Sequence, residues 1–140
     1  MADQNSRQAM RKAERSPKVE EAFAKMIAER EAYFKELPMI RKDGVAALHR
    51  LLPIAQGHSG QCRYVAAFLL GLYNGQRFPF DLTDFRGLDL SIFNDCMAVL
   101  RMDKTPECEV HIYFDNGSAI WEDLAKRWGI KDHWVNNQRI

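Results

Sequence analysis

The chain has 140 residues, 46% of them hydrophobic and 11% aromatic, which is enough for one hydrophobic core. Its 20 lysines and arginines against 19 aspartates and glutamates give a net charge of +1, so no global field draws it to nucleic acid or to an anionic membrane. The basic excess is local: residues 1–42 carry ten basic and seven acidic side chains, whereas residues 43–140 carry ten and twelve.

The cysteine pattern and the hydropathy pattern indicate a cellular compartment. Cys62, Cys96 and Cys108 are odd in number and form no C-x-x-C pair, which is typical of reduced cytoplasmic thiols rather than of a disulfide framework. The first 20 residues contain no apolar stretch of the signal-peptide kind, and no apolar run reaches the roughly 18 residues of a membrane span. We therefore expect a cytoplasmic protein with no membrane segment.

The N-terminal quarter predicts an arm followed by a helix. Residues 1–15 carry almost no large apolar side chain, which favours a basic, disordered arm. Ser16 and Pro17 have the residue types of an N-cap and a first helical position. Apolar residues every three or four positions then predict a helix as far as Leu37, and Pro38 is expected to end it.

The stretch QGHSGQ at residues 56–61 is close to the nucleophile elbow G-x-S-x-G, but a glutamine stands where that motif requires its second glycine. The elbow also needs a strand before its serine. Here the preceding pattern is a helix that Asp43 would cap and that Pro53 would kink or shorten. Gly57 and Ser59 suit the end of one helix and the N-cap of the next, so we predict no catalytic serine.

The rest of the chain is mainly helical in pattern. A helix from residue 61 ends at the pair Asn74-Gly75, whose residue types suit a left-handed cap. Three further helices are expected to begin at polar cap residues, which are Asp81, Asp89 and Ser118. Gly129 is expected to end the last of them.

Residues 109–114, EVHIYF, alternate polar and apolar side chains and are the one candidate strand. We therefore predict a mainly α fold, a single domain of about five helices over residues 16–130, with this small β element as its one departure. Residues 131–140 are expected to form a C-terminal tail.

Two sets of side chains have the chemistry of metal ligands, and each has a plainer explanation. The first set offers zinc-type ligands at a spacing unlike that of common zinc modules: His58, Cys62, Cys108 and His111. The second set offers carboxylates without the spacing of an EF-hand, and helix capping explains most of it: Asp81, Asp84, Asp89 and Asp95. Because the chain also has no glycine-rich phosphate loop, we expect no metal and no cofactor.

Two further sets of residues are candidates for binding macromolecules. Basic residues of the N-terminal arm can contact nucleic-acid phosphates without reading sequence; they are Arg7, Arg11, Lys12, Arg15 and Lys18. Aromatic and arginine side chains are the usual anchors of protein interfaces, and the exposed candidates are Trp134, Tyr33, Arg77 and Arg86. An exposed strand at residues 109–114 would offer another route, by pairing with a strand of a partner.

Three short segments carry a resemblance to a known family. They are IAQ at residues 54–56, GQ-x-R-x-VA-x-FLL at residues 60–70 and FDLTD at residues 80–84. The chain from about Ala46 to Trp128 resembles a domain-of-unknown-function family of small bacterial proteins often carried on plasmids and integrative conjugative elements. The resemblance implies no catalytic residues.

What the resemblance does imply is a context, since small proteins of mobile elements often act by covering a surface of a host protein. We therefore expect a non-enzymatic accessory or inhibitor protein of a mobile genetic element that binds a host protein, such as a component of a bacterial defence system. The alternative is a nucleic-acid-binding accessory protein that uses the basic arm.

Overall fold

The computed structural model of the chain describes residues 16–138, and every regular element within them is a helix. The α-helices of this part are α1 (Pro17–Ala55), α2 (Gly60–Tyr73), α3 (Leu90–Asp103), α4 (Gly117–Trp128) and α5 (His133–Gln138). Two 3-10 helices cover Leu82–Gly87 and Val110–Tyr113. The mainly α prediction is confirmed, and none of these helices combines the length and the apolar character needed to cross a membrane. The predicted arm, residues 1–15, lies outside the described residues.

Helix α1 begins as predicted and ends much later. The hydroxyl oxygen of Ser16 accepts a hydrogen bond from the backbone N–H of Val19 at 3.3 Å, as an N-cap does. The predicted stop at Pro38 and the predicted second helix start at Asp43 are wrong, because the helix continues to Ala55. A proline inside a helix costs about 3 kcal/mol, and the burial of Leu37 and Ile40 on either side of it offsets that cost.

The chain divides into two compact units, Met1–Pro38 and Met39–Ile140. In the described part of the first unit, residues 17–36 are exposed except for the half-buried Glu20 and Tyr33. The second unit contains a core to which four α-helices and the second 3-10 helix contribute. Its largest buried side chains include Leu48, Leu51, Leu69, Leu70, Val99, Met102, Val110, Trp121 and Leu124.

Two indole N–H groups tie distant helices of the second unit together. Trp121 on α4 donates to the carbonyl of Leu69 on α2 at 3.1 Å, and Trp128 donates to the carbonyl of Ala55 at 2.8 Å. The second bond satisfies one of the carbonyls that the end of α1 leaves without a helical partner. Helix α4 therefore packs against the C-terminal end of α1.

The predicted β element at residues 109–114 is wrong. Val110–Tyr113 form a 3-10 helix, in which the N–H of Ile112 bonds to the carbonyl of Glu109 at 2.9 Å. A strand needs a neighbouring strand to bond its backbone groups, and the described residues contain no strand that could pair with this segment. The local bonds of the 3-10 helix satisfy those groups instead, while Val110 is buried in the core.

Several predicted helix ends are confirmed. Ser59 is the N-cap of α2, and its hydroxyl oxygen accepts from the N–H of Cys62 at 3.3 Å. Gly129 follows α4 in the left-handed region at φ 60°, and its N–H bonds back to the carbonyl of Lys126 at 3.2 Å. A glycine adopts this conformation without the strain that a side chain would cause.

Other ends lie where predicted but use different geometry. Asn74 follows α2 in an extended conformation at φ −157°, and its side-chain oxygen accepts from the N–H groups of Gln76 and Arg77, both at 3.1 Å. Gly57 is not in the left-handed region either. A Cβ there would stand 2.6 Å from the sulfur of Cys62, so a larger residue would make the Cys62 side chain move. Helix α4 begins after Asn116, which is left-handed at φ 59°, rather than at a cap on Ser118.

Candidate functional site

An apolar groove with a volume of about 200 Å³ opens on the second unit where α2, the first 3-10 helix and α3 meet. Every residue that lines it is apolar or a glycine: Phe68, Gly71, Leu72, Gly75, Phe80, Leu82, Phe85 and Leu100. Among the described residues, no charged or hydrogen-bonding side chain lines it. Its chemistry therefore suits an apolar guest.

The aromatic side chains of the groove form a set of tilted and edge-to-face contacts. The ring of Phe85 lies 5.5 Å from that of Phe68, 4.9 Å from that of Phe80 and 5.7 Å from that of Phe93. Rings in such contacts restrict one another's rotation, and each contact adds about 0.5–1.5 kcal/mol beyond the buried area. The aromatic part of the wall is therefore preformed.

A small residue on α2 lets the wall close up. A Cβ built on Gly71 would stand 3.1 Å from the Cβ of Phe80, tighter than an ordinary contact. A side chain on residue 71 would therefore make Phe80 move away from the helix backbone by a few tenths of an ångström. The same approach places the ring of Phe80 beside Phe68, at 5.8 Å between centroids.

Leu82 stands at the rim with 72% of its surface exposed, and Leu100 on α3 is 38% exposed. Leu82 is the first residue of a 3-10 helix that Asp81 caps. One carboxylate oxygen of Asp81 accepts from the N–H and the hydroxyl of Thr83, at 2.9 and 2.7 Å. These bonds lower the pKa of Asp81 below its ordinary value and fix the turn that displays Leu82.

The four predicted partner-binding residues lie in different surroundings. Arg86 is exposed and belongs to the 3-10 helix that lines the groove. Trp134 on α5 is 44% exposed. Tyr33 is half-buried and belongs to the first unit.

Arg77 is not the freely exposed side chain that the sequence led us to expect, since only 18% of it is accessible. Its guanidinium donates to Glu122 at 2.7 and 3.2 Å and to Asp132 at 2.7 and 3.1 Å. These bonds raise the pKa of Arg77 and lower that of Asp132. Asp132 also accepts from the backbone N–H of Trp134 at 3.0 Å, so the structure brings Arg77 and Trp134 to the same carboxylate.

The predicted nucleic-acid residues lie largely outside the described part of the chain. This holds for Arg7, Arg11, Lys12 and Arg15. Lys18 is exposed in the first turn of α1.

The candidate metal ligands do not come together. Within residues 16–138 no three histidine, cysteine, aspartate or glutamate side chains are grouped so that they could hold a metal ion. His58 lies 3.5 Å from the guanidinium of Arg127, whereas the ring of His111 packs edge-on against Tyr73 at 4.9 Å. Of the acidic set, Asp95 pairs with Arg50 at 2.8 Å.

Sequence reasoning missed the residues that make the groove. Leu72 and Leu100 fit the inward stripes of their helices, so their positions at a groove could not be told from burial in the core. Leu82 lies in the segment FDLTD, whose pattern predicts a helix cap at Asp81 and carries part of the family resemblance, but gives Leu82 itself no role. The signal that could have found it is an apolar residue directly after a capping aspartate, where side chains are usually exposed.

Comparison with known proteins finds one family. Residues 45–129, more than half of the chain, match the model of the Family of unknown function (DUF7673). No curated protein and no solved structure matches the chain significantly. The groove lies entirely within the matched residues.

Proposed function

This chain belongs to the family of unknown function DUF7673, and we propose that it is a non-enzymatic binding protein whose groove receives apolar side chains of a partner protein. The observation that carries the proposal is the groove itself, which is open, preformed and lined only by apolar residues and glycine. It belongs to the part of the chain that defines the family.

The size and lining of the groove favour a protein over a small molecule. Sites for small ligands usually measure roughly 300–1,000 Å³ and contain a few convergent polar groups that fix orientation. The groove has about 200 Å³, and none of its lining residues has a polar side chain. That volume is enough for one or two side chains of leucine size, with the rest of the partner lying outside.

We propose that an amphipathic helix of the partner supplies these side chains. Two of the elements that form the groove, α2 and α3, are themselves helices, and an apolar helix face laid into a groove is a common mode of recognition. Leu82 and Leu100 at the rim extend the apolar contact beyond the groove. Of the four predicted partner-binding residues, Arg86 is the nearest in sequence to Leu82, and it is exposed on the first 3-10 helix.

The proposed partner is a host protein, and the proposed role is that of an accessory or inhibitor encoded by a mobile genetic element. The resemblance described above supports this context, and an anti-defence role is one form of it. The three free thiols are consistent with a reducing, cytoplasmic compartment.

Leu82→Glu tests the proposal, and Leu90→Glu is its matched control. Both leucines are 72% exposed, and both are the first residue of a helical element, but only Leu82 lines the groove. We expect the tagged full-length protein to retain one dominant protein from nuclease-treated bacterial lysate. Leu82→Glu should reduce its recovery about tenfold or more, because a carboxylate would have to be desolvated against apolar walls, while Leu90→Glu should not.

Three results would contradict the proposal. Equal loss with both leucine variants would show that the groove is not the binding site. If no protein were retained in any lane, the proposal of a protein partner would be wrong. Loss of every retained protein on nuclease treatment would favour the nucleic-acid alternative and the basic arm. Thermal melting of both variants, expected to differ little from the wild type, shows that they remain folded.

A further inference from the structure

The first unit carries an exposed apolar stripe on α1. Val19, Phe23, Met26, Ile27 and Phe34 are 52%, 42%, 56%, 40% and 49% exposed. At about 100° per residue, all five lie within a sector of about 100° around the helix axis. Arg30 falls in the middle of that sector, and its guanidinium lies 5.7 Å from the ring centroid of Phe34.

The stripe has a symmetric spacing. Counting Arg30 among its members, the positions 19, 23, 26, 27, 30 and 34 are separated by four, three, one, three and four residues. This series reads the same in both directions. In an antiparallel twofold interface residue i of one copy meets residue j of the other while j meets i, so a symmetric spacing places each member of the stripe opposite another member.

Reversing the stripe on itself gives complementary contacts. Val19 falls opposite Phe34 of the second copy, and Met26 falls opposite Ile27. Arg30 falls opposite Phe23, where a guanidinium can lie over the ring. The same reversal sets no two acidic residues of the segment against each other, and Lys18 and Lys35, which it does pair, lie outside the apolar sector.

The exposed area matches what a stable dimer needs. With about 200 Å² for a fully exposed large apolar side chain, the five residues expose roughly 450 Å² per chain. A standard interface buries about 800 Å² per partner, and about 56–65% of that area is apolar. The apolar area that such an interface needs is therefore close to the area that the five residues expose. The stripe runs over about 22 Å of helix, at 1.5 Å per residue.

We propose that residues 19–34 of α1 are a self-association surface, on which the same segment of a second copy of this chain packs in the antiparallel direction. The proposal uses a surface of the first unit and does not depend on the groove of the second. It would stand if the proposed binding function failed.

The test compares two glutamate variants of the full-length chain by sedimentation equilibrium. Met26 lies in the centre of the stripe, while Ala28, two residues further, faces the opposite side of the helix and is also exposed. We expect the wild type to be a dimer. Met26→Glu should raise the dimer dissociation constant at least about 30-fold, as the loss of a central interface residue does, and Ala28→Glu should change it less than about threefold.

A double cysteine variant tests the direction of packing. Val19→Cys with Phe34→Cys should form a disulfide between position 19 of one copy and position 34 of the other, identified by mass spectrometry of the digested dimer. The two positions of one chain are too far apart to pair, at about 22 Å along the helix. Wild-type protein under the same oxidant controls for the native cysteines.

Three outcomes would overturn the proposal. A wild type that remains monomeric up to about 100 μM, a concentration at which a specific homodimer of this area should form, would exclude a second copy as the occupant. A dimer unaffected by Met26→Glu would place the interface elsewhere. Disulfides that join only equivalent positions, 19 to 19 and 34 to 34, would show parallel packing.

Discussion

At the scale of single residues, Arg77 contributes most to holding the C-terminal segment. Its guanidinium joins Glu122 on α4 to Asp132, and its own carbonyl accepts from the N–H of His133 at 2.9 Å. Each of the two acids is more than 40 residues away in sequence. No local pattern could have indicated them, which is why Arg77 was interpreted as an exposed anchor.

Arg77→Lys should lower the free energy of unfolding by about 2 kcal/mol, because an ammonium group cannot form the two forked contacts and leaves at least one carboxylate with a weaker partner. Urea denaturation followed by tryptophan fluorescence measures the change. Arg86→Lys is the control, since that side chain is exposed, and we expect it to change stability by less than about 0.5 kcal/mol. An equal effect of both substitutions would contradict the assigned role.

At the scale of elements, the sequence indicated the helix ends that are set by local chemistry. Ser59 and Gly129 act through bonds to residues three or four positions away, and such bonds depend on residue type alone. Pro38 and residues 109–114 were misjudged because their outcome depends on packing. The local cost of the proline is offset by burial of its neighbours, and the alternating segment lacks a strand to pair with.

The groove shows the same limit. The aromatic residues and the capping aspartate could be recognised in the sequence, but their convergence on one face of α2 depends on the path of the chain between residues 74 and 90. The absence of a side chain at Gly71 matters because Phe80 packs against the helix at that position. Helical periodicity says nothing about Phe80, which lies in a loop, and it cannot separate a groove wall from a buried layer on α2.

Helix α1 provides a stability test of this packing. Gly44 lies inside the helix, where alanine is normally preferred by about 1 kcal/mol. A Cβ there would overlap the Cβ of Met102 and stand 2.8 Å from its sulfur. We therefore expect Gly44→Ala to destabilise the protein by about 1–3 kcal/mol in thermal or urea unfolding.

Gly60→Ala is the control for this substitution. Gly60 is the first residue of α2, and a Cβ built there meets no atom within 4 Å. Helix propensity then acts alone, and we expect no loss of stability. If Gly44→Ala were as stable as the wild type, α1 and α3 could not approach each other as closely as described.

At the scale of the whole molecule, one helix belongs to two units with different surroundings. Ala47, Leu48, Leu51 and Ala55 near its C-terminal end are fully buried, whereas residues 21–32 near its N-terminal end are all exposed. A helix segment whose side chains are mostly exposed gains little stability from the burial of an apolar face. The two halves of α1 should therefore open with different free energies.

Amide hydrogen exchange can measure this difference. In the Met26→Glu variant, which is expected to be monomeric, amides of residues 23–32 should exchange at least about 100-fold faster than those of residues 47–55. In the wild type at high concentration, the amides of residues 23–32 should exchange more slowly, while the exchange of residues 47–55 should be unchanged. Uniform protection along α1 in the variant would show that the helix is stabilised as one piece.

The Arg77 contacts also extend beyond the part of the chain that matches the family. The part of the chain that matches the family ends at residue 129, but Asp132, one of the two acids that hold Arg77, lies just beyond it. A chain shortened to the family segment would retain a largely buried guanidinium with half of its partners, which is unfavourable. The residues after position 129 therefore complete the set of acidic partners that Arg77 has in this chain.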